Sequence, residues 1–139
     1  MTADPRPLVG AAHGPGTRDV AAAGKVVERY LDRMVAHDWD AMADCLAEDV
    51  VRVGPFGDTY SGKASYVAFL SGLLPSLAGY SMRLDRVVSQ GRFAVAELTE
   101  TVEIDGSPLE TPEALVFDLD AQGRIAHISI YIQRLGAPA

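Results

Sequence analysis

The sequence predicts an α+β domain in which helices cover one face of a bent, largely antiparallel sheet. Two observations carry this prediction. Apolar residues recur mainly with helical spacing as far as Pro75 and with strand spacing from Tyr80 onward. The second half is also cut by three short turn signals that join long strands as hairpins. Helices gathered ahead of strands are the pattern of this class, whereas a parallel sheet alternates the two.

Taken in order, Thr17 is a candidate N-cap, and Val20, Ala23, Val27, Tyr30, Leu31 and Met34 form one apolar stripe. A first helix is therefore expected to run to about Ala36. Asp38 is a second candidate N-cap, with Ala41, Met42, Cys45 and Leu46 as the stripe of a short helix ending near Glu48. Val50 to Val53 reads as a strand, stopped by Gly54 and Pro55, because proline donates nothing to a ladder. From Ser61, the residues Tyr66, Val67, Phe69, Leu70, Leu73 and Leu74 predict a third helix closed by Pro75. Four strands follow, at Tyr80 to Ser89, Phe93 to Ile104, Leu109 to Leu119 and Ile125 to Gln133, broken at Gln90-Gly91, Asp105-Gly106 and Gln122-Gly123.

A chain of 139 residues, 48% hydrophobic and 22% charged, is sized and composed for one folded domain. Residues 1–16, with Pro5, Pro7 and Pro15, read as a flexible N-terminal tail, leaving residues 17–139 as the domain. The tail lacks the apolar core of a secretory signal, and no later stretch reaches the roughly 20 apolar residues of a membrane helix. The net charge of −7 repels phosphate backbones and anionic lipid headgroups, so neither nucleic acid nor a membrane is an expected partner. A single cysteine, Cys45, excludes an internal disulfide and suits a reducing, cytoplasmic location.

Two motif matches carry no function. Gly57-x-x-x-x-Gly62-Lys63 begins like a phosphate-binding loop, but Ala64 replaces the hydroxyl residue that would hold magnesium. His13, His37 and His127 show no metal-ligand spacing with Cys45 or with paired carboxylates, so no metal site is expected.

Several segments resemble one superfamily. They are Val26-Val27-Glu28-Arg29-Tyr30-Leu31, His37-Asp38-Trp39-Asp40-Ala41, Leu46-Ala47-Glu48-Asp49-Val50, Gly54-Pro55-Phe56-Gly57, Tyr60-Ser61-Gly62-Lys63, Phe117-Asp118-Leu119-Asp120, Gly123-Arg124-Ile125 and Ile130-Tyr131. Together they resemble the nuclear transport factor 2-like superfamily, in its ketosteroid-isomerase-like and SnoaL-like polyketide-cyclase branch. The resemblance covers about residues 26 to 133. It implies a cone-shaped curved sheet wrapped around three helices, a cystatin-like α+β barrel, enclosing a pocket for a small apolar or amphipathic ligand. It implies no cofactor, and it implies pairing as a homodimer through the outer face of the sheet. The superfamily holds isomerases, cyclases, dehydratases, hydrolases and non-catalytic binding modules, so the scaffold alone does not choose among them.

The residues themselves narrow the chemistry. Alternate side chains of a strand share a face. Ala94, Ala96, Leu98, Glu100, Val102 and Ile104 therefore lie together, apolar apart from one carboxylate. An isolated carboxylate in an apolar cavity must be paired, protonated or wet, and desolvation raises its pKa toward the range of a general acid or base. A register slip, or a place near the strand end, is the alternative account of Glu100. Tyr30 resembles in position the oxyanion-donating tyrosine of the isomerases; the other reading is a core tyrosine bonded to a backbone carbonyl.

Strand parity puts Glu113, Leu115 and Phe117 on one face, and the resemblance turns that face inward. Arg52 is placed either to neutralise Glu100 or hold an anion, or at the surface of an edge strand. Trp39, Phe56, Phe69, Leu98, Phe117 and Ile130 are expected to shape the pocket, while His127 and Tyr131 fall on the outer face. The departures are specific: the isomerases' catalytic aspartate position is Gly54 here, and their protonated aspartate falls near Leu115. The epoxide-hydrolase triplet reads Thr101, Glu103 and Ile130. The expected activity is cofactor-free isomerisation, cyclisation or hydrolysis of an apolar oxygenated substrate of polyketide, steroid or terpenoid type. The alternative is a non-catalytic ligand-binding or dimerisation module of the same fold.

Overall fold

The computed structural model describes residues 15–133, with side chains placed from Ala22 onward. Residues 1–14 of the expected tail, with His13, lie outside this range. Pro15 and Gly16 belong to the first helix, α1 (Pro15–Val35), so Thr17 lies within that helix and is not its cap. The apolar stripe of α1 behaves as its spacing predicts: Ala23, Val27, Tyr30, Leu31 and Met34 are all buried. Gly24 lets the helix come close to the sheet, since a Cβ there would lie 3.2 Å from Ser89 Oγ. At its end His37 takes a left-handed conformation, φ 57°, and the His37 and Asp38 amides bond back to the Met34 and Arg33 carbonyls. That 5→2 and 6→1 pattern terminates the helix without a glycine.

Asp38 then caps α2 (Trp39–Ala43), its Oδ1 accepting from the Ala41 amide at 3.3 Å. This helix was expected to reach Glu48, and it stops at Ala43 because Leu46–Val53 is β1. Leu46, Ala47 and Val50 are apolar enough for either state, and pairing with a distant strand decides between them. A short strand that the pattern did not predict, β2 (Thr59–Ser61), folds back on β1 through residues 54–58. Helix α3 (Lys63–Leu73) follows, and Leu74–Ser76, including Pro75, tightens into a 3-10 turn.

The remaining strands are β3 (Ser81–Gln90), β4 (Phe93–Ile104), β5 (Ser107–Leu119) and β6 (Ile125–Ile132). The Asp105-Gly106 turn between β4 and β5 has positive φ at both residues, 53° and 80°. That is the primed turn whose twist matches the flanking strands. The sheet order is β2-β1-β6-β5-β4-β3, antiparallel throughout except where β1 runs parallel to β6. The sheet is curved but unclosed: its edge strands β2 and β3 do not pair, so the expected barrel is an open cone. Register shifts at Leu46/Val51, Leu84/Arg86 and Asp118/Leu119 bend it.

Helices α1 and α3 occupy the concave side, over Ala94, Ala96 and Leu98 of β4 and Leu115, Phe117 and Leu119 of β5. Ile125 and Ile128 of β6 complete this core, although they lie an odd three positions apart, because the irregularity at Asp118/Leu119 resets the alternation. No described helix is long and apolar enough to cross a membrane.

Candidate active site

A cavity of about 170 Å³ opens between α3, the Leu74 turn and the concave faces of β4 and β5. Glu100 and Glu113 both line it. Strand register explains why they meet: Leu98 faces Glu113 and Glu100 faces Thr111, which makes the two glutamates diagonal neighbours on one face. Long side chains reach each other across that diagonal. Tyr80 closes the group, its hydroxyl donating to Glu100 Oε2 at 2.5 Å.

The electrostatics follow from this geometry. Burial, then the hydrogen bond and the charge of Glu100, push the Glu113 carboxyl up to about 9, with Arg52 pulling the other way. Glu113 is thereby held protonated near neutral pH. Burial and the adjacent Glu100 carboxylate raise the Tyr80 phenol far above its ordinary value, which keeps it a donor.

Arg52 forms the opposite wall. It lies on β1, and β2 outside it makes β1 an interior strand, so the surface-arginine account does not hold: Arg52 is only 9% exposed. Its Nη1 donates to Asp58 Oδ2 at 2.7 Å, and its guanidinium lies 5.3 Å from the Phe69 ring centre and 5.8 Å from that of Tyr60. Phe69 and Tyr60 stack on each other at 4.1 Å beneath it. For Asp58, burial works upward, but the hydrogen bonds from Arg52 and from backbone amides prevail and hold the carboxyl below its ordinary value.

The structure thus brings Glu100, Arg52, Leu98, Glu113, Leu115 and Ile130 onto one cavity and sets the other expected residues elsewhere. Tyr30 is fully buried behind the wall, its hydroxyl bonded to that of Tyr66 at 2.5 Å and its ring edge-on to Phe117 at 5.8 Å. It is buried in the core with a side-chain hydroxyl as its partner in place of the backbone carbonyl of the alternative reading, and Tyr66 lines the cavity wall. Burial pushes the Tyr66 phenol up to about 12 and raises that of Tyr30 strongly, so both stay protonated.

Phe117 is wholly buried in the core. Trp39 is half-buried and stacks on His37 at 5.2 Å, Phe69 supports Arg52, and Phe56 is 72% exposed on the loop after Gly54. None of these four aromatic residues lines the cavity: packing turns Phe117, Trp39 and Phe69 onto neighbours, and Phe56 lies on an exposed loop.

Three residues of the site escaped sequence reasoning. Tyr66 carried a signal, a phenol in the apolar stripe of α3. Tyr80 and Asp58 carried none, because the first depends on the β3/β4 register and the second on the unforeseen hairpin. Among the described residues no cluster of three or more His, Cys, Asp or Glu side chains is placed to hold a metal ion. Cys45 is a buried free thiol, which burial pushes up and away from reactivity.

An open, curved α+β cone of this kind is the fold of nuclear transport factor 2-like and ketosteroid isomerase-like solved structures. The chain belongs to the SnoaL-like domain family, which its sequence matches over residues 27–128. No curated protein sequence shows a significant match. Among solved structures, the chain is similar to a candidate ketosteroid isomerase from Kribbella flavida, at 18% identity, TM-score 0.74, 87% of this chain and 84% of that one. It is similar to an LEH-like epoxide hydrolase of M. tuberculosis, at 21% identity, TM-score 0.72, covering 82% and 84%. A third is a hypothetical protein with a ketosteroid isomerase-like fold from Catenulispora acidiphila, in complex with trimethylamine, at 16% identity, TM-score 0.67, covering 76% and 83%. At these identities the likeness is one of fold.

Proposed function

We propose that this protein is a cofactor-free acid–base catalyst, an isomerase, cyclase or hydrolase, acting on a small, largely apolar oxygenated molecule. The observation that carries the reading is the Glu100/Glu113 pair: two carboxyls lining one cavity, with Tyr80 donating to Glu100. A group that holds a proton near neutrality and can also accept one is what general acid–base catalysis requires. Glu100 moves the proton, and Glu113 and Tyr80 set its readiness to do so.

Substrates of polyketide, steroid or terpenoid type remain within the proposal, with a limit set by size. A cavity of about 170 Å³ is comparable to the roughly 150 Å³ that holds benzene. One ring of a larger skeleton enters, and the remainder stays at the mouth.

Carbon-13 NMR titration of the glutamate carboxyls tests the reading without a known substrate. We expect one carboxyl of the pair to titrate well above 4.5; two ordinary titrations would remove the catalytic proposal. A non-catalytic binding module is then what remains, a reading favoured by Gly54 and Leu115, which carry no carboxyl where the isomerases do.

A second copy of the chain is the proposed partner. Val88, Val95 and Val116 stand in one row across β3, β4 and β5 on the face away from the helices. Exposed Phe93 and Tyr131 lie on the same face. A contiguous apolar patch of this kind suits a homodimer interface. A cytoplasmic location belongs to the same proposal, supported by the buried free thiol of Cys45.

A further inference from the structure

The β4/β5 hairpin overhangs its neighbours. Among the described residues, β3 begins opposite Thr101 of β4 and β6 ends opposite Glu113 of β5, so the far part of the hairpin is a ribbon of two strands. On the β3 side the Ala78 carbonyl steadies it, accepting the Glu103 amide at 2.8 Å. On the β6 side the edge of β5 from Ser107 to Thr111 is open. A two-stranded ribbon is marginal in water, and this one leaves Ile104 and Leu109 more than half exposed.

One bond shows which groups face the open edge. The Gln133 amide donates to the Pro112 carbonyl at 2.8 Å, so the backbone of Pro112 points toward β6, and that of Glu110 and Pro108 points the same way. Proline carries no N–H, so the edge presents the carbonyls of Pro108 and Glu110 and the amide of Glu110. Prolines at such positions deter most added strands. An occupant must donate opposite Pro108, and both donate and accept opposite Glu110.

The continuation of the chain meets this pattern. Residues 134–139 lie outside the described range. The β5/β6 register pairs Glu113 with Ile132, and the bond from Gln133 to Pro112 carries it one residue further. Continued in step, it sets Arg134 opposite Thr111, Leu135 opposite Glu110, Gly136 opposite Leu109 and Ala137 opposite Pro108. Leu135 then exchanges both bonds with Glu110, and Ala137 donates to Pro108. Pro138 comes opposite Ser107, where the N–H of a strand would point away from β5, so its missing donor breaks no bond. Leu135 falls on the outer face between the rings of Pro108 and Pro112, an apolar side chain beside apolar neighbours. Because Gln133 is already bonded, the next residues meet the edge without an encounter between molecules, which favours them over a strand of a second copy.

We propose that residues 134–137 extend β6 along β5 as the third strand of the overhang, and that this places Arg134 at the mouth of the cavity. Alternate residues of a strand share a face, and Arg134 follows Ile130, which lines the cavity, at the same parity. Its row across the sheet reads Glu100, Thr111, Arg134, and Glu113 is its diagonal neighbour. Glu100, Thr111 and Glu113 all line the cavity. Arg52, on the opposite wall, is bonded to Asp58, so Arg134 brings a positive charge to the glutamates' own side. The inference holds whether or not those glutamates move a proton.

The test is NMR on the full chain and on a chain ending at Gln133. In the extended ladder Arg134 and Thr111 form a close pair, with Cα atoms about 4.5 Å apart, so a contact between their α-protons is expected. The Leu135 and Ala137 amides should exchange with solvent at least about tenfold more slowly than in an open chain. The Glu110 amide should exchange at least about tenfold more slowly in the full chain than in the shortened one. Leu135→Pro removes the donor opposite Glu110, and should abolish the contact and release the Glu110 amide while β1 to β4 stay protected. Arg134→Gln keeps the strand, and the Glu113 carboxyl should titrate at a higher pH once the neighbouring cation is gone. Absence of the α-proton contact, fast exchange at Leu135, or a Glu110 amide indifferent to residues 134–137 overturns the extension. A contact seen only between differently labelled chains in a mixed sample also overturns it and assigns the edge to a second copy. An unmoved Glu113 titration in Arg134→Gln overturns the placement of Arg134 at the cavity.

Discussion

The Asp58 carboxylate occupies the space into which a side chain at Gly54 would project: a Cβ on Gly54 would lie 2.3 Å from Asp58 Oδ1. The glycine is therefore part of the Arg52 anchor, since it makes room for the acid that holds the guanidinium.

Gly54→Ala is expected to displace Asp58 and loosen Arg52. Because Asp58 is partly exposed and Arg52 is not, a destabilisation of about 1 to 3 kcal/mol is expected, measured by urea denaturation. Asp58→Ala should cost a similar amount, and the double variant clearly less than the sum. Simple additivity would show that the two residues do not share this space.

Stability should depend on pH through Glu113. Its folded carboxyl binds a proton more tightly than the unfolded one, so the native state carries the extra proton between about 4.5 and 9. The contribution is full below 4.5 and is lost as pH rises through the folded value. Because Glu113 is half-buried, the expected slope is under about 1 kcal/mol per pH unit. Melting curves from pH 5 to 9 should therefore fall in the wild type and flatten in Glu113→Gln.

Glu100→Gln removes the charge that helps to raise Glu113 and leaves an amide that can donate to its ionised form, with burial as the main remaining cause. The Glu113 carboxyl is expected to titrate lower in this variant, with the fold retained by circular dichroism. Any acid–base turnover by the protein should drop by at least about a hundredfold. An unchanged rate would take Glu100 out of the mechanism.

Tyr30 and Tyr66 hold each other in the core. Tyr66→Phe strands the Tyr30 hydroxyl and should cost about 1 to 3 kcal/mol, whereas replacing both leaves no unmet group and should cost less than the two single changes together. A thermal double-mutant cycle measures the difference.

The strand half of this fold was legible because β4 alternates without interruption. Ala94, Ala96 and Leu98 are buried as their parity requires, and Glu100 follows them onto the cavity. Parity also put Glu113 and Leu115 on one face, which the family resemblance turned inward. It failed where pairing partners decide the state. Leu46 to Asp49 became strand because β6 lies beside β1, and β2 exists because β1 offers it an edge. Aromatic residues were the least legible part of the site. Phe69, Phe117 and Trp39 are apolar on any scale, and whether such a ring borders a void or fills a core depends on neighbours distant in the chain.

By itself, the sequence determined the class of fold, the order of most elements, and the presence of one acid on an apolar strand face, because these follow from periods of 3.6 and 2 along the backbone. Only the tertiary structure decided that Glu113 joins that acid, that Tyr66 stands at the cavity in place of Tyr30, and that Asp58 fixes Arg52. Those relationships depend on register across strands and on the packing of helix against sheet, and no spacing along a single segment encodes either.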